Sequence, residues 1–207
     1  MKRKLSLSKI IIFSLYIIFI GLIIFAIVKI LTPDKKTVDI SVVDSIENYN
    51  YKLESSATKY QKSLFKELSE LLSKEDYSIE EYAKLISKLF VTDFYTLDNK
   101  LNKNDIGGLQ YIYSYFKEDF ISYSKETVYK TVKNNMYGDR NQKLPIVTGA
   151  EVLSISNDEF KYNSDTLDAY YVDINVSYEE DLGYPTSISL VLVKNNNKIE
   201  VVKMETK

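Results

Sequence analysis

The chain has 207 residues, no Cys, His or Trp, and a net charge of −2. Without Cys it forms no disulfide framework, carries no lipid on a cysteine and does no thiol chemistry, and without His it lacks the usual proton shuttle and the commonest transition-metal ligand. Because the residues after 36 carry 28 acidic and only 20 basic side chains, they repel phosphate backbones, which argues against nucleic acid as a direct partner.

Residues 10–31 predict a transmembrane helix in contact with the lipid bilayer. They are almost wholly apolar, and about 20 residues cross a bilayer core of roughly 30 Å. The run is longer than the apolar part of a cleaved signal peptide and too evenly apolar for a core helix. Four basic residues precede it. The positive-inside bias therefore predicts a cytoplasmic tail at 1–9 and a single-pass protein of the cell membrane, with the rest exported.

Residues 32–45 are predicted to form a linker, and residues 46–75 a long helix. Two sets of side chains recur there seven residues apart, offset by four as in a heptad: Ile46, Leu53 and Tyr60, and Ala57, Leu64 and Leu71. An amphipathic helix packed on the domain is favoured, since coiled coils usually sustain more heptads. A stalk that pairs with a second copy is the alternative.

The next segment is predicted to be helical up to about Gly138. Ser78 and Glu81 form a capping box that starts a helix. This helix is expected to fade in the polar stretch 99–104, before a turn at 105–108. Apolar side chains then return at helical spacing, which indicates further helix beyond the turn.

After Pro145 the apolar period changes from helical to two, which predicts strands. The predicted strands are 147–155, 170–178, 187–193 and a last one from 199, after a tight turn at 194–198. Sequential strands with short turns make an antiparallel meander. The fold class is therefore α+β, with residues 76–207 forming an extracytoplasmic domain whose helices pack on a curved antiparallel sheet of about four strands.

One membrane span, then helices, then a curved sheet resembles the membrane-anchored form of the nuclear-transport-factor-2-like (NTF2-like) fold, which is cone-shaped. The chain is similar, over roughly residues 76–205, to the bitopic assembly factor of type IV secretion and conjugation channels. The stretch LFVTDFYTLDNKLNKNDIGGLQYIYSYFKEDF, Leu89 to Phe120, is similar in layout to the helical half of those proteins. The resemblance implies a subunit of a conjugation or secretion-type assembly.

Enzymes of this fold class often place Asp and Tyr in the mouth of the cone, as base and oxyanion donor. The resemblance therefore implies candidate ligand-binding residues at Tyr82, Asp93, Tyr95 and Tyr113. The competing interpretation is that these Tyr side chains fill the edge of the core, since the chain has 18 Tyr and chance proximity to an Asp is expected. No catalytic residue and no cofactor are assigned. The oxygen-rich run 98–105 lacks the spacing of a calcium loop, so no metal site is predicted either.

The outward face of the sheet is the candidate partner surface. Tyr171, Val191, Val193 and Val202 take outward positions on the predicted strands, and contiguous exposed apolar surface marks a partner site. The alternative is that the helix at 46–75 covers this face.

Three functional hypotheses remain open. The leading one is a non-enzymatic, membrane-tethered interaction module that binds a protein partner or a second copy of itself. The second is an extracytoplasmic small-ligand-binding or sensor domain with a pocket between helices and sheet. The third is an isomerase- or hydratase-like enzyme that uses Asp and Tyr in the cone.

Overall fold

The computed structural model describes the backbone of residues 7–31 and 37–207 and the side chains of residues 11–28 and 37–207. Its contacts divide the chain into two units, Met1–Thr37 and Val38–Lys207. The predicted tail at 1–9 and linker at 32–45 fall partly outside the described residues.

The first unit contains helix α1 (Leu7–Leu31), which confirms the helix predicted over 10–31. Its 25 residues span about 37 Å, more than the roughly 30 Å of a bilayer core. Every described side chain from 11 to 28 is exposed in the molecule. By length and composition α1 is apolar enough to cross a membrane.

The second unit begins with a β-hairpin, so the long helix predicted over 46–75 is wrong in its first half. Strand β1 (Val42–Ile46) pairs antiparallel with β2 (Tyr51–Glu54), and Asn50 takes a positive φ at the turn between them. Tyr51 and Leu53 are buried while their neighbours are exposed. Burial of every second residue requires a strand, and it overrides the seven-residue spacing.

Helix α2 (Lys59–Leu72) begins only after the hairpin. Thr58 caps this helix, since its Oγ1 accepts a hydrogen bond from the main-chain N–H of Gln61 at 3.1 Å. The helix buries Leu64, Phe65 and Leu68 in the core. Over this shorter range the favoured interpretation, a helix packed on the domain, is right.

Helix α3 (Ile79–Tyr95) is the central helix of the domain. The Ser78 hydroxyl accepts from the Glu81 amide at 3.3 Å, which confirms the predicted N-cap. The chain then forms only two short 3₁₀ turns, Leu109–Tyr111 and Ser114–Phe116, and helix α4 (Lys117–Glu126). The last helical stretch, predicted to end near Gly138, consists of turns instead.

Four strands complete the unit: β3 (Val147–Tyr162), β4 (Asp165–Tyr178), β5 (Ser187–Asn195) and β6 (Lys198–Thr206). They form one antiparallel sheet in the order β3-β4-β5-β6, which confirms the predicted meander and the α+β class. The β3–β4 hairpin is longer than predicted, because its end continues beyond the part of β4 that pairs with β5.

The sheet has apolar side chains on both faces. One face packs with α2 and α3 to form the main core. The other carries a small second cluster, in which Ala169, Val191 and Val193 are packed against Tyr113, Phe160, Leu167 and Val202.

Candidate functional site

The four residues predicted to bind a ligand lie in different surroundings and form no common site. Tyr82, Asp93 and Tyr95 are all on α3, but eleven residues of helix separate the first two by about 16 Å. The Tyr95 hydroxyl lies 3.9 Å from the sulfur of Met204. Tyr113 packs in the second cluster, on the other face of the sheet.

Tyr82 belongs to a group of packed tyrosines. Its hydroxyl lies 2.7 Å from that of Tyr51, and Tyr77 packs edge-on against its ring. Burial raises the pKa of Tyr51 and Tyr82 well above the ordinary value and that of Tyr77 to about 12. Neutral hydroxyls that bond to one another favour the core-filling interpretation for Tyr82.

Asp93 forms a buried ion pair with Lys100. The Lys100 ammonium lies 2.6 Å from Asp93 Oδ1, and the Gly108 amide donates to Oδ2 at 2.6 Å. Only 15% of the Asp93 side chain and 5% of the Lys100 side chain are exposed.

The electrostatics of this pair keep both groups charged. Burial alone would raise the pKa of Asp93, but the charge and hydrogen bond of Lys100 outweigh it and hold that pKa below its usual value. Burial alone would lower the pKa of Lys100, and Asp93 reverses this effect. A carboxylate held in its ionised form by a neighbouring cation is a weak general base.

The Gly107–Gly108 loop attaches to α3 at this pair, which explains the two glycines. A Cβ on Gly107 would overlap the carbonyl oxygen of Asp93, and Gly108 has a φ of +78°, which favours glycine. The Gly107 amide donates to the Tyr129 hydroxyl at 2.9 Å, and that hydroxyl donates to the Phe94 carbonyl at 2.7 Å. The predicted turn at 105–108 thus holds the loop against the helix.

A cavity of about 310 Å³ lies beside the ion pair. It is bounded by the β1–β2 hairpin, the start of α2, α3 and the loop that follows α3. Its polar lining residues are Lys52, Glu54, Ser56, Gln61, Asp93, Asn99 and Gln110. Sequence reasoning identified only Asp93 among them, because the others come from segments far apart in the chain.

Two buried oxygens at this cavity have no hydrogen-bond partner among the described residues: Gln61 Oε1 and Asn99 Oδ1. The Asn99 amide nitrogen donates to the Ser56 carbonyl at 3.1 Å, so only its oxygen is left over. Buried polar atoms are nearly always paired, so these two oxygens mark positions where a hydrogen-bond donor would be stabilised.

The predicted partner surface is wrong in part. Val193 is fully buried and Val191 is 7% exposed, because Tyr113 and the end of the β3–β4 hairpin cover them. Tyr171 is exposed and Val202 partly so. The cover does not come from the helix predicted at 46–75, which was the alternative.

Around Tyr171 the outward face is polar and not an apolar strip. The Asp173 carboxylate accepts from the Ser189 hydroxyl at 2.5 Å and from the Lys207 ammonium at 2.7 Å. These hydrogen bonds, that of Lys207 first, lower the pKa of Asp173 to about 2.

An apolar groove of about 270 Å³ lies between α4 and β6. Its apolar lining residues are Ile112, Phe116, Phe120, Tyr123, Val201, Val202 and Met204. Tyr123 is 62% exposed although its ring lines the groove. Sequence reasoning identified only Val202 here, because the pairing of Ile112 with Val201 that brings the two sides together is a long-range contact.

In the described part of the chain, no three acidic side chains converge in a way that would hold a metal ion. In comparisons with known proteins, no protein family, no curated protein and no solved structure matches this chain. A function is therefore inferred from its own residues and their geometry.

Proposed function

We propose that the chain is a non-enzymatic, single-pass membrane protein whose α+β domain is held outside the cytoplasm and binds a protein partner. The observation that carries the proposal is the exposure of α1. Fifteen large apolar side chains between residues 11 and 28 are exposed in the molecule. At about 1.5–3 kcal/mol for each side chain removed from water, their transfer into lipid is favourable by tens of kcal/mol.

The charges around the span support the orientation. Lys2, Arg3, Lys4 and Lys9 precede or begin the apolar run, whereas the two lysines that follow it are opposed by Asp34. An excess of Lys and Arg stays on the cytoplasmic side of the first span. This charge distribution supports an orientation with the domain from Val38 onward outside the cytoplasm.

The absence of Cys from the chain allows a direct test of this topology. Ser6→Cys introduces a single thiol before α1, and Ser63→Cys introduces one at an exposed position of α2. In intact spheroplasts, a membrane-impermeant maleimide is expected to label the Ser63 variant only. The Ser6 variant is expected to react after permeabilisation. The reverse pattern, or equal labelling of both, would show that the topology is wrong.

The groove between α4 and β6 is the surface that best suits a protein partner. It presents aromatic and Met side chains in an open cleft, with Asp119 and Lys203 at its lining. Aromatic and Met side chains are enriched at the centre of protein interfaces, and polar groups surround them. Tyr115 adds exposed aromatic surface next to Phe116.

The order of helices followed by an antiparallel meander supports two finer proposals. The domain has a cone-shaped NTF2-like fold, and the chain acts as a bitopic subunit of a conjugation or secretion-type assembly. The ion-paired state of Asp93 supports a non-enzymatic role, because its lowered pKa makes it a poor base.

Photo-crosslinking in cells that contain the complete native assembly tests the partner surface. A photoreactive amino acid at Tyr123 is expected to give one adduct of defined mass. The matched control is the same amino acid at Lys66, which is exposed on α2, and it is expected to give only monomer. Monomer alone at both positions would contradict partner binding through the groove.

A further inference from the structure

Among the described residues that line the cavity beside the Asp93–Lys100 pair, the buried polar atoms without a hydrogen bond are both acceptors. Gln61 is 6% exposed, and its Oε1 has no partner among the described residues. Its side chain also interacts with the Asp93 carboxylate and lowers the pKa of that group. This interaction requires the amide nitrogen to face Asp93, so the oxygen is the atom left over.

Asn99 repeats the arrangement on the loop after α3. Its nitrogen donates to a carbonyl, and its oxygen is left without a partner in the described part of the chain. A buried acceptor without a hydrogen bond destabilises the folded state. Two such acceptors beside one cavity favour the binding of a molecule that brings hydrogen-bond donors.

A carboxylate at the same cavity adds charge to the two acceptors. Glu54 lines the cavity, and the Ser56 hydroxyl reaches it only at 3.5 Å. Glu54 is exposed as a residue, but burial of part of its carboxyl raises the pKa of that group. Lys100 lowers this pKa, and Asp93 and Asp105 raise it again. A second cation beside Glu54 would add to the effect of Lys100, whose ammonium is ion-paired with Asp93.

We propose that this cavity binds a small compound that carries a primary ammonium group. The three N–H donors of an ammonium group match the Glu54 carboxylate and the amide oxygens of Gln61 and Asn99. A volume of about 310 Å³ holds a short diamine or a free amino acid. Lys52, which also lines the cavity, offers a partner to the carboxylate of an amino acid.

Titration calorimetry of the full chain in detergent micelles tests the proposal with three probes. These are 1,4-diaminobutane, alanine, and 1,4-butanediol as the uncharged analogue of the diamine. At least one ammonium probe is expected to bind, and the diol is not. Binding of the diamine alone identifies an amine ligand, and binding of alanine alone identifies an amino acid. Equal binding of the diol, or no binding of either ammonium probe up to about 10 mM, would overturn the proposal.

Two variants locate the site. Glu54→Gln keeps the side-chain shape at an exposed position but removes the charge, so we expect at least about a tenfold loss of affinity. Gln61→Met removes the unpaired oxygen and is expected to lose binding too. Glu67→Gln changes an exposed acid of α2 that does not line the cavity, and it is the matched control with unchanged affinity.

The melting temperature of each variant, measured without probe, separates lost binding from lost folding. Gln61→Met loses the hydrogen bond of the amide nitrogen to Asp93 but also removes a buried acceptor without a partner, so we expect it to melt no more than a few degrees below the wild type. A Glu54→Gln variant that binds the ammonium probe as tightly as the wild type would refute the assignment. This test is independent of the proposed partner groove, which lies between other elements of the domain.

Discussion

Replacing Asp93 by Asn is expected to destabilise the domain strongly, because it leaves a buried ammonium group without its counter-ion. The Lys100 ammonium is 2.6 Å from Asp93 and its side chain is 5% exposed. Removing one partner of a buried ion pair costs about 3–5 kcal/mol, out of about 5–15 kcal/mol for a whole domain. In a domain of this size one kcal/mol corresponds to about 2–4 °C, so we expect the melting temperature to fall by roughly 6–20 °C.

Thermal unfolding of the full chain in detergent micelles, followed by circular dichroism, measures this loss. The double variant Asp93→Asn with Lys100→Met is expected to recover most of it, since no buried charge is left without a partner. Glu67→Gln serves as a control for the loss of a carboxylate on the surface. A loss below about 1 kcal/mol in the single variant, the size typical of an exposed pair, would refute the assigned role of the ion pair.

The same pair predicts how stability depends on pH. The folded-state pKa of Asp93 is below its unfolded value of about 3.9. Its contribution to the free energy of unfolding is therefore complete above that value and is lost as pH falls through the folded pKa. Asp93→Asn should lack this acid-sensitive component, which urea titrations at several acidic pH values would detect.

Three further predictions concern single contacts and are measured by the same unfolding assay, except for the last. Gly107→Ala should lower the free energy of unfolding by about 3 kcal/mol, because the new Cβ would overlap a carbonyl oxygen of α3. The control Gly183→Ala, which has open space around it, should lose only the roughly 1–2 kcal/mol that a positive φ costs. Equal losses in the two variants would contradict the close approach of Gly107 to α3. Tyr60→Phe should lower the free energy of unfolding by about 1–2 kcal/mol, since the Tyr60 hydroxyl accepts a hydrogen bond from a main-chain amide of β3 at 2.9 Å. An unchanged melting temperature would show that water replaces the hydroxyl as the partner of that amide. Burial raises the pKa of Tyr51 well above 10. The stability linked to this group is therefore present below about pH 10 and is lost as pH rises toward the folded pKa. In an alkaline titration, the ultraviolet absorbance of tyrosinate should rise in a late step together with unfolding, and early ionisation of all tyrosines would refute this.

The order of elements was predictable where a single local pattern dominated. In β4, Val172, Ile174 and Val176 are buried, in agreement with the alternation that predicted the strand. The helix N-cap at Ser78 was also predictable from the sequence, because a capping hydrogen bond joins residues only three apart.

The hairpin before α2 was missed because the same side chains fit two periods. Leu53 fits a seven-residue helical repeat with Ile46 and Tyr60, but it also fits a two-residue repeat with Tyr51. Contact between the ring of Tyr51 and those of Tyr49 and Tyr111 accompanies the extended form. Contacts with residues far along the chain thus help to decide between helix and strand for this segment, and a pattern of neighbouring residues does not include those contacts.

The candidate site could not be predicted from the sequence for a related reason. Asp93 was identified as a residue of interest, but its partner Lys100 lies beyond the end of α3 and reaches it only because the loop folds back. Gln61 and Asn99 are 38 positions apart, and nothing in their local sequence indicates that both keep an oxygen without a partner. Val191 and Val193 were expected to be exposed, and Tyr113, nearly eighty residues earlier, covers them.

Two properties of this protein follow from its amino-acid sequence alone: an apolar segment long enough for a bilayer, and helices followed by an antiparallel meander. Both depend on neighbouring residues, so composition and period are sufficient to predict them. The folded structure is needed to establish which charges are paired, which oxygens of the described residues have no hydrogen bond and which apolar side chains stay exposed. These properties depend on contacts between segments far apart in the chain, and the energy of a buried charge or polar atom depends on the whole set of groups packed around it.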